Sequence, residues 1–303
     1  MTWWERLKND QKGSISVLLA AGMVVMAGFA ALVIDAGLLY LNKVRLVDAV
    51  DSAVLAGVQE LPGSPSRALQ VAAEYAALNG LEAGEVSFEV GEDNKSLTGS
   101  ARRDVNLLFA RLLGFEEEQV SSQAEARVVP LAGVSGVTPF GVWAADYEFG
   151  EEVILKAGAL GEHERGWFGA LRLGGSGADD YRNNVRFGYD GLLKIGDTVE
   201  VESGNMSGPT KTGIDYRIDR CHHSPECTIN SYVDGCPRIL IVPMGVMDGY
   251  TFTITGFGAF FVDEYVGHGN DNWVRGSFVR YAVPGEIAAD APDFGVYGTQ
   301  LSN

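Results

Sequence analysis

The densest chemistry in this chain lies in Cys221-His222-His223-Ser224-Pro225-Glu226-Cys227, with Cys236 shortly after. Three thiols and two imidazoles within sixteen residues can supply a tetrahedral zinc site, which takes four nitrogen or sulfur donors. The spacing C-H-H-x3-C-x8-C, however, matches no standard ligand pattern, and no paired CxxC accompanies it. In an oxidising compartment the simpler expectation is one disulfide among Cys221, Cys227 and Cys236 that clips a loop. The third thiol is then left over, buried or available for an intermolecular bridge. Three cysteines allow three single bridges, and the sequence does not choose among them. No metal and no cofactor is assigned.

The other candidates read as turns. Gly174-Gly175-Ser176-Gly177 lacks the Lys-Ser/Thr of a phosphate-cradling loop and the G-x-G-x-x-G spacing. Asp179, Asp180, Asn183 and Asn184 offer oxygens to calcium, yet a solvated turn accounts for them. Gly267-His268-Gly269-Asn270-Asp271-Asn272 reads as a hairpin loop with the option of a ligand-binding tip. His163, in Glu162-His163-Glu164-Arg165, reads as a charged surface turn. Asn205-Met206-Ser207 is a chance glycosylation sequon. No G-x-S-x-G elbow and no H-E-x-x-H helix occurs, so no catalytic residue is assigned and the chain is not expected to be an enzyme. A formal net charge of −17 argues against nucleic acid or an anionic surface as partner. Hydrophobic content of 46% and aromatic content of 10% exclude a disordered stalk.

The elements that must carry these residues begin at the N-terminus. Residues 13–34 run for 22 positions without a charge, long enough to cross a hydrocarbon core of about 30 Å as a helix. Gly13, Gly22 and Gly28 lie within this anchor, and Asp35 closes it at the outer edge. Arg6, Lys8 and Lys12 precede the span, while Lys43 and Arg45 follow it, which favours an N-terminus inside. Trp3 and Trp4 suit the interfacial belt. The expectation is a cytoplasmic-membrane protein with one span and the bulk of the chain extracytoplasmic. The alternatives are a cleaved signal peptide and a prepilin-type cut at Lys12-Gly13-Ser14, although Leu18 replaces the glutamate that pilins carry.

Helical periodicity continues past Asp35. Leu38, Leu41, Val44, Val47, Val50, Val54 and Val58 recur every three or four residues, the stripe of an amphipathic helix. Small residues lie beside it, and Leu61-Pro62-Gly63 ends it. Here the chain resembles a known family. Lys12-Gly13, the apolar span, Asp35-Ala36-Gly37-Leu38-Leu39-Tyr40, Arg45, Asp48-Ala49 and Asp51-Ser52-Ala53-Val54-Leu55-Ala56-Gly57 look like the TadG-like N-terminal module of Tad-type Flp (tight adherence) pilus systems. Val50, Ser52 and Val54 stand where alanines are usual. The resemblance spans residues 11–62 and implies a non-catalytic envelope protein of pilus assembly or secretion, with other pilus-assembly proteins as partners. On this reading Asp48, Ala49, Ser52, Ala53, Ala56 and Gly57 pack against a partner helix.

The remainder reads as α+β. A helix over 64–80 is followed by strands over 85–90 and 97–101, a helix over 104–113 and a closing strand over 120–129. From residue 137 glycine becomes frequent and short strand-like runs alternate with turns, as at 152–155, 198–202, 238–242, 250–255 and 274–281. That pattern predicts an antiparallel, sandwich-like domain. The expected organisation is a tail (1–12), a span (13–35), a helical stalk (36–62), a small α+β domain (63–130) and a β-rich domain (137–303), with 131–136 as the boundary. The alternative function is a surface-anchored adhesin whose β domain binds a cell-surface ligand, or less simply a processed minor pilin.

Overall fold

A computed structural model describes residues 14–157, 167–202, 204, 206–268 and 271–302. Gly13, His163, Asn205 and the centre of the 267–272 turn therefore lie outside the described residues.

One helix, α1 (Ser14–Val58), runs for 45 residues, about 67 Å at the α-helical rise. No proline interrupts it before Leu61-Pro62. Its two halves have opposite surroundings. From Ile15 to Ile34 every large apolar side chain is 47–75% exposed. From Leu46 the same helix becomes core, with Leu46, Ala49, Val50, Ala53, Val54 and Val58 all buried. The segment expected as a stalk is thus the central helix of a folded unit. Of the expected stripe Val50, Val54 and Val58 are buried, with Leu46 beside them, under α2 (Pro65–Leu78) and a sheet, whereas Leu41 and Val44 are exposed.

That helix starts at Ser64 with Pro65 in its first turn, where the missing N–H costs nothing. It ends at Asn79, followed by Gly80 at φ 81°. Strands β1 (Val86–Val90), β2 (Ser96–Asn106) and β3 (Glu117–Val134) form an antiparallel meander on it. Of the helix expected over 104–113, Asp104, Val105 and Asn106 are instead strand, paired with Gln119, Glu118 and Glu117, and only a short 3-10 turn (Ala110–Leu113) remains helical. Cross-strand pairing along β3 outweighs the local helical pattern.

β3 itself runs into the boundary expected at 131–136 and ends there at Val134. The last strand, β14 (Val296–Ser302), returns from the far end of the chain to pair with β3 from Tyr297↔Pro130 to Ser302↔Glu125. Tyr297 is fully buried among the α1 and α2 side chains.

The β-rich part is built from β4 (Phe140–Trp143), β5 (Glu152–Ala157), β6 (Trp167–Ala170), β9 (Ile239–Asp248), β10 (Thr251–His268) and β11 (Asp271–Val279). Their neighbours run β11-β5-β6-β4-β9-β10, and β10 pairs again with β11, so the sheet closes on itself. The α+β class with a β-rich C-terminal part holds. The sheet differs from the sandwich expected, because β5–β6 and β4–β9 are parallel and the ring closes. Closure is visible in β9, whose first seven residues are buried without alternation. Leu240, Val242 and Met244 join one core cluster while Ile239 and Ile241 join another. Two helices, α3 (Ala178–Phe187) and α4 (Ser207–Asp219), cover the first cluster through Tyr181, Val185 and Ile214. Minor strands β7 (Leu193–Lys194), β8 (Thr198–Glu200), β12 (Tyr281–Ala282) and β13 (Glu286–Ile287) trim the edges.

Candidate functional site

Asp35 ends the bare half of α1, and the structure gives its carboxylate a specific task. It is 5% exposed and accepts backbone N–H bonds from Leu108 (2.8 Å), Phe109 (3.0 Å) and Ala110 (2.7 Å). Three donors at the start of the 3-10 turn are thus capped by a side chain some seventy residues earlier, a long-range version of an N-cap. The β2–β3 hairpin runs along α1: Leu97 lies near Gly57, Gly99 near Val50 and Val54, and Ser121 accepts a bond from Lys43 Nζ. The hairpin tip therefore descends to the foot of the helix, where the exposed apolar run begins.

That tip is apolar and bare. Leu112, Leu113 and Phe115 are 81%, 80% and 64% exposed, and Leu108 and Phe109 are also exposed. A cluster of this kind on a soluble surface is a contact site. Its position beside Asp35 was legible only as a misread helix face.

The small-residue stripe is occupied from within. Ala49, Ala53 and Gly57 are buried, and a Cβ added to Gly57 would meet Leu97 Cδ2 at 2.5 Å, Ala68 O at 2.7 Å and Ala72 Cβ at 2.9 Å. The helix that approaches is α2 of the same chain. Asp48 is exposed, and Ser52 and Ala56 are half-buried. Within the span, Gly22 and Gly28 have open space around them.

The cysteines converge, but without a disulfide. Cys221, Cys227 and Cys236 are free, with Cys221 Sγ 3.6 Å from Cys236 Sγ. His223 Nδ1 joins them, 3.5 Å from Cys221 Sγ and 3.3 Å from Cys227 Sγ. His222 is exposed and lies outside the group. Cys221 follows α4, and Cys236 lies just ahead of β9, with Pro237 and Arg238 between. Two buried arginines fix these flanks. Arg217 donates to the carbonyls of Val185, Pro237 and Ile239, and burial lowers its guanidinium to about 10. Arg238 donates to Val262 and Cys227 carbonyls, pairs with Glu226 and Asp263, and stacks 4.7 Å over Phe261. Burial alone would raise the Cys221 thiol, but hydrogen bonds from His223, Cys236 and Cys227 bring it down to about 7. Burial pushes Cys236 up to about 12.

Of the other expected turns, 179–184 is helical while 267–272 closes a hairpin as expected. Asp179, Asp180, Asn183 and Asn184 lie on α3, where Asn184 bonds the Leu173 carbonyl at 2.7 Å. His268↔Asp271 and Gly267↔Asn272 pair as the end of the β10–β11 hairpin. A separate groove of about 540 Å³ lies where the end of α1 meets β12 and β14, lined by Gln59, Asp234, Tyr281, Ile287 and Thr299 among others.

No curated protein and no solved structure matches the chain. Its N-terminal segment, residues 13–60, matches the Tad family, Flp pilus-assembly TadE/G-like, and this match covers both the bare and the buried half of α1.

Proposed function

We propose that the chain is a non-catalytic, single-pass membrane component of a Tad/Flp-type pilus assembly or secretion apparatus. Its N-terminus faces the cytoplasm, and the folded part stands outside the cytoplasmic membrane. One observation carries this reading. The segment matching the Tad family is a single helix whose first half is apolar and bare and whose second half is the core of the adjoining unit. Such a helix transmits position rigidly between bilayer and domain. The capped tip at Leu112, Leu113 and Phe115 sits level with the end of the apolar run, and lipid is the solvent in which both lose their exposed apolar area. The tip serves as a second contact that fixes the domain's tilt.

The family's partner surface then lies on the exterior of the folded unit, since the small-residue stripe is filled by α2. A second reading, a surface-anchored module that binds a cell-surface ligand, is favoured by the groove beside Tyr281 and Ile287.

Fractionation of cells into membrane, sheared-filament and medium samples, with N-terminal sequencing, tests the assembly reading. Recovery in the membrane with Met1 retained supports it, and protease access from the outer side confirms the orientation. A mature start at Ser14 in sheared filaments overturns it in favour of a minor pilin. Loss of pilus assembly on deletion, with ligand adhesion unaffected when the groove is blocked, separates the two readings.

A further inference from the structure

We propose that Cys221, His223, Cys227 and Cys236 form a closed tetrahedral zinc site that staples the segment between α4 and β9. The four donor atoms lie within 4.8 Å of one another. With Zn–S near 2.3 Å and Zn–N near 2.0–2.1 Å, the edges of a tetrahedron are about 3.8 Å between sulfurs and about 3.6 Å between sulfur and nitrogen. The structure has 3.6 Å for Cys221–Cys236, 3.5 Å for Cys221–His223 and 3.3 Å for Cys227–His223. A disulfide needs about 2.05 Å, uses two sulfurs, and leaves both the third thiol and the imidazole without a role. Zinc uses all four groups.

Nδ1 of neutral His223 is the ligand, so its remaining proton sits on Nε2. Binding releases three thiol protons to solvent and changes no oxidation state. With four protein ligands no coordination position stays open, which makes the site structural. The need for a staple is evident in the chain. Residues 220–238 carry no strand or helix, only an isolated bridge at Thr228↔Ser231. A loop of that length inside a folded unit is uncommon without such a constraint.

The test uses the full-length protein in detergent, purified without a histidine tag or chelator. Elemental analysis is expected to find one zinc per chain. Unfolding in chelator without reductant should expose three reactive thiols. Replacement by cobalt should give the intense visible bands of tetrahedral coordination with a sulfur-to-cobalt charge-transfer band in the near ultraviolet. His223→Ala should weaken that spectrum and speed proteolysis within 220–238, while His222→Ala leaves both unchanged. Because Cys227→Ser can fail to fold, chelation of the wild-type chain gives the matching readout, faster cleavage of the same segment restored by added zinc. One reactive thiol, showing a disulfide, or cobalt that stays octahedral overturns the proposal.

Discussion

Gly57 is the residue at which packing is tightest and function most easily mistaken. A methyl group there meets the Ala68 carbonyl and Ala72 Cβ of α2, neither of which can yield without moving the helix. Gly57→Ala should therefore destabilise the folded unit by about 1–3 kcal/mol, read as a lower urea midpoint of the detergent-solubilised chain. Gly22→Ala, with nothing within 4 Å, should leave that midpoint unchanged. If Gly57 instead contacted a partner helix, its substitution would spare stability and impair assembly. Asp35 offers a second residue-level test. Removing its carboxylate strands three N–H donors, and loss of a cap costs about 0.5–2 kcal/mol. Asp35→Ala should accelerate trypsin cleavage at Arg111 in membranes relative to the parent chain. At this scale the sequence was informative about identity and poor about company. The cysteine group and Asp35 stood out by type. The donors that Asp35 satisfies and the geometry that joins His223 to the cysteines depend on contacts across dozens of residues.

At the scale of elements, regular local patterns were legible and irregular ones were not. The span, α1, α2 and the alternation in β10, where Phe252 and Ile254 are buried beneath half-buried threonines, follow from hydrophobic period alone. The stretch 104–113 departs from the expected helix because the β3 ladder takes Asp104, Val105 and Asn106, which leaves room only for a 3-10 turn. What the ladder leaves over is the bare tip. If that tip rests in the bilayer interface, Leu113→Trp should gain fluorescence quenching by brominated acyl chains relative to the parent chain in vesicles. A combined Leu112→Ser, Leu113→Ser and Phe115→Ser variant should stay anchored through α1 but lose tilt order, seen as broader distances between the membrane and a label on the domain. Quenching of the introduced tryptophan by acrylamide instead of lipid would remove the second contact.

At the scale of the whole molecule, the chain order and the folded order diverge. The composition shift near residue 137 suggested two consecutive domains, because glycine content and element length change there. Sequence neighbours cannot reveal that β14 closes the first unit from the opposite end. The structure makes three ties across that boundary: the end of β3 pairs with β7 and β13, β14 pairs with β3, and Lys95 forms a 2.8 Å ion pair with Asp293. The exposed ion pair contributes little, whereas Tyr297 and the ladder contribute much. Truncating one fully buried aromatic costs about 3–5 kcal/mol, against a typical total stability of about 5–15 kcal/mol. Deleting residues 295–302 also leaves the β3 edge unpaired, an invitation to association. The expected outcome is that residues 36–136 expressed alone aggregate or unfold without cooperativity, while residues 36–302 are soluble and unfold in one transition. Adding a peptide of residues 293–302 should partly restore the short fragment, because it supplies the missing strand and the tyrosine. A short fragment that unfolds cooperatively at the midpoint of the longer one would instead make the two units independent. Anchor motion would then not be transmitted through β3 to the closed sheet, and the rigid link from membrane to outer surface would fail with it.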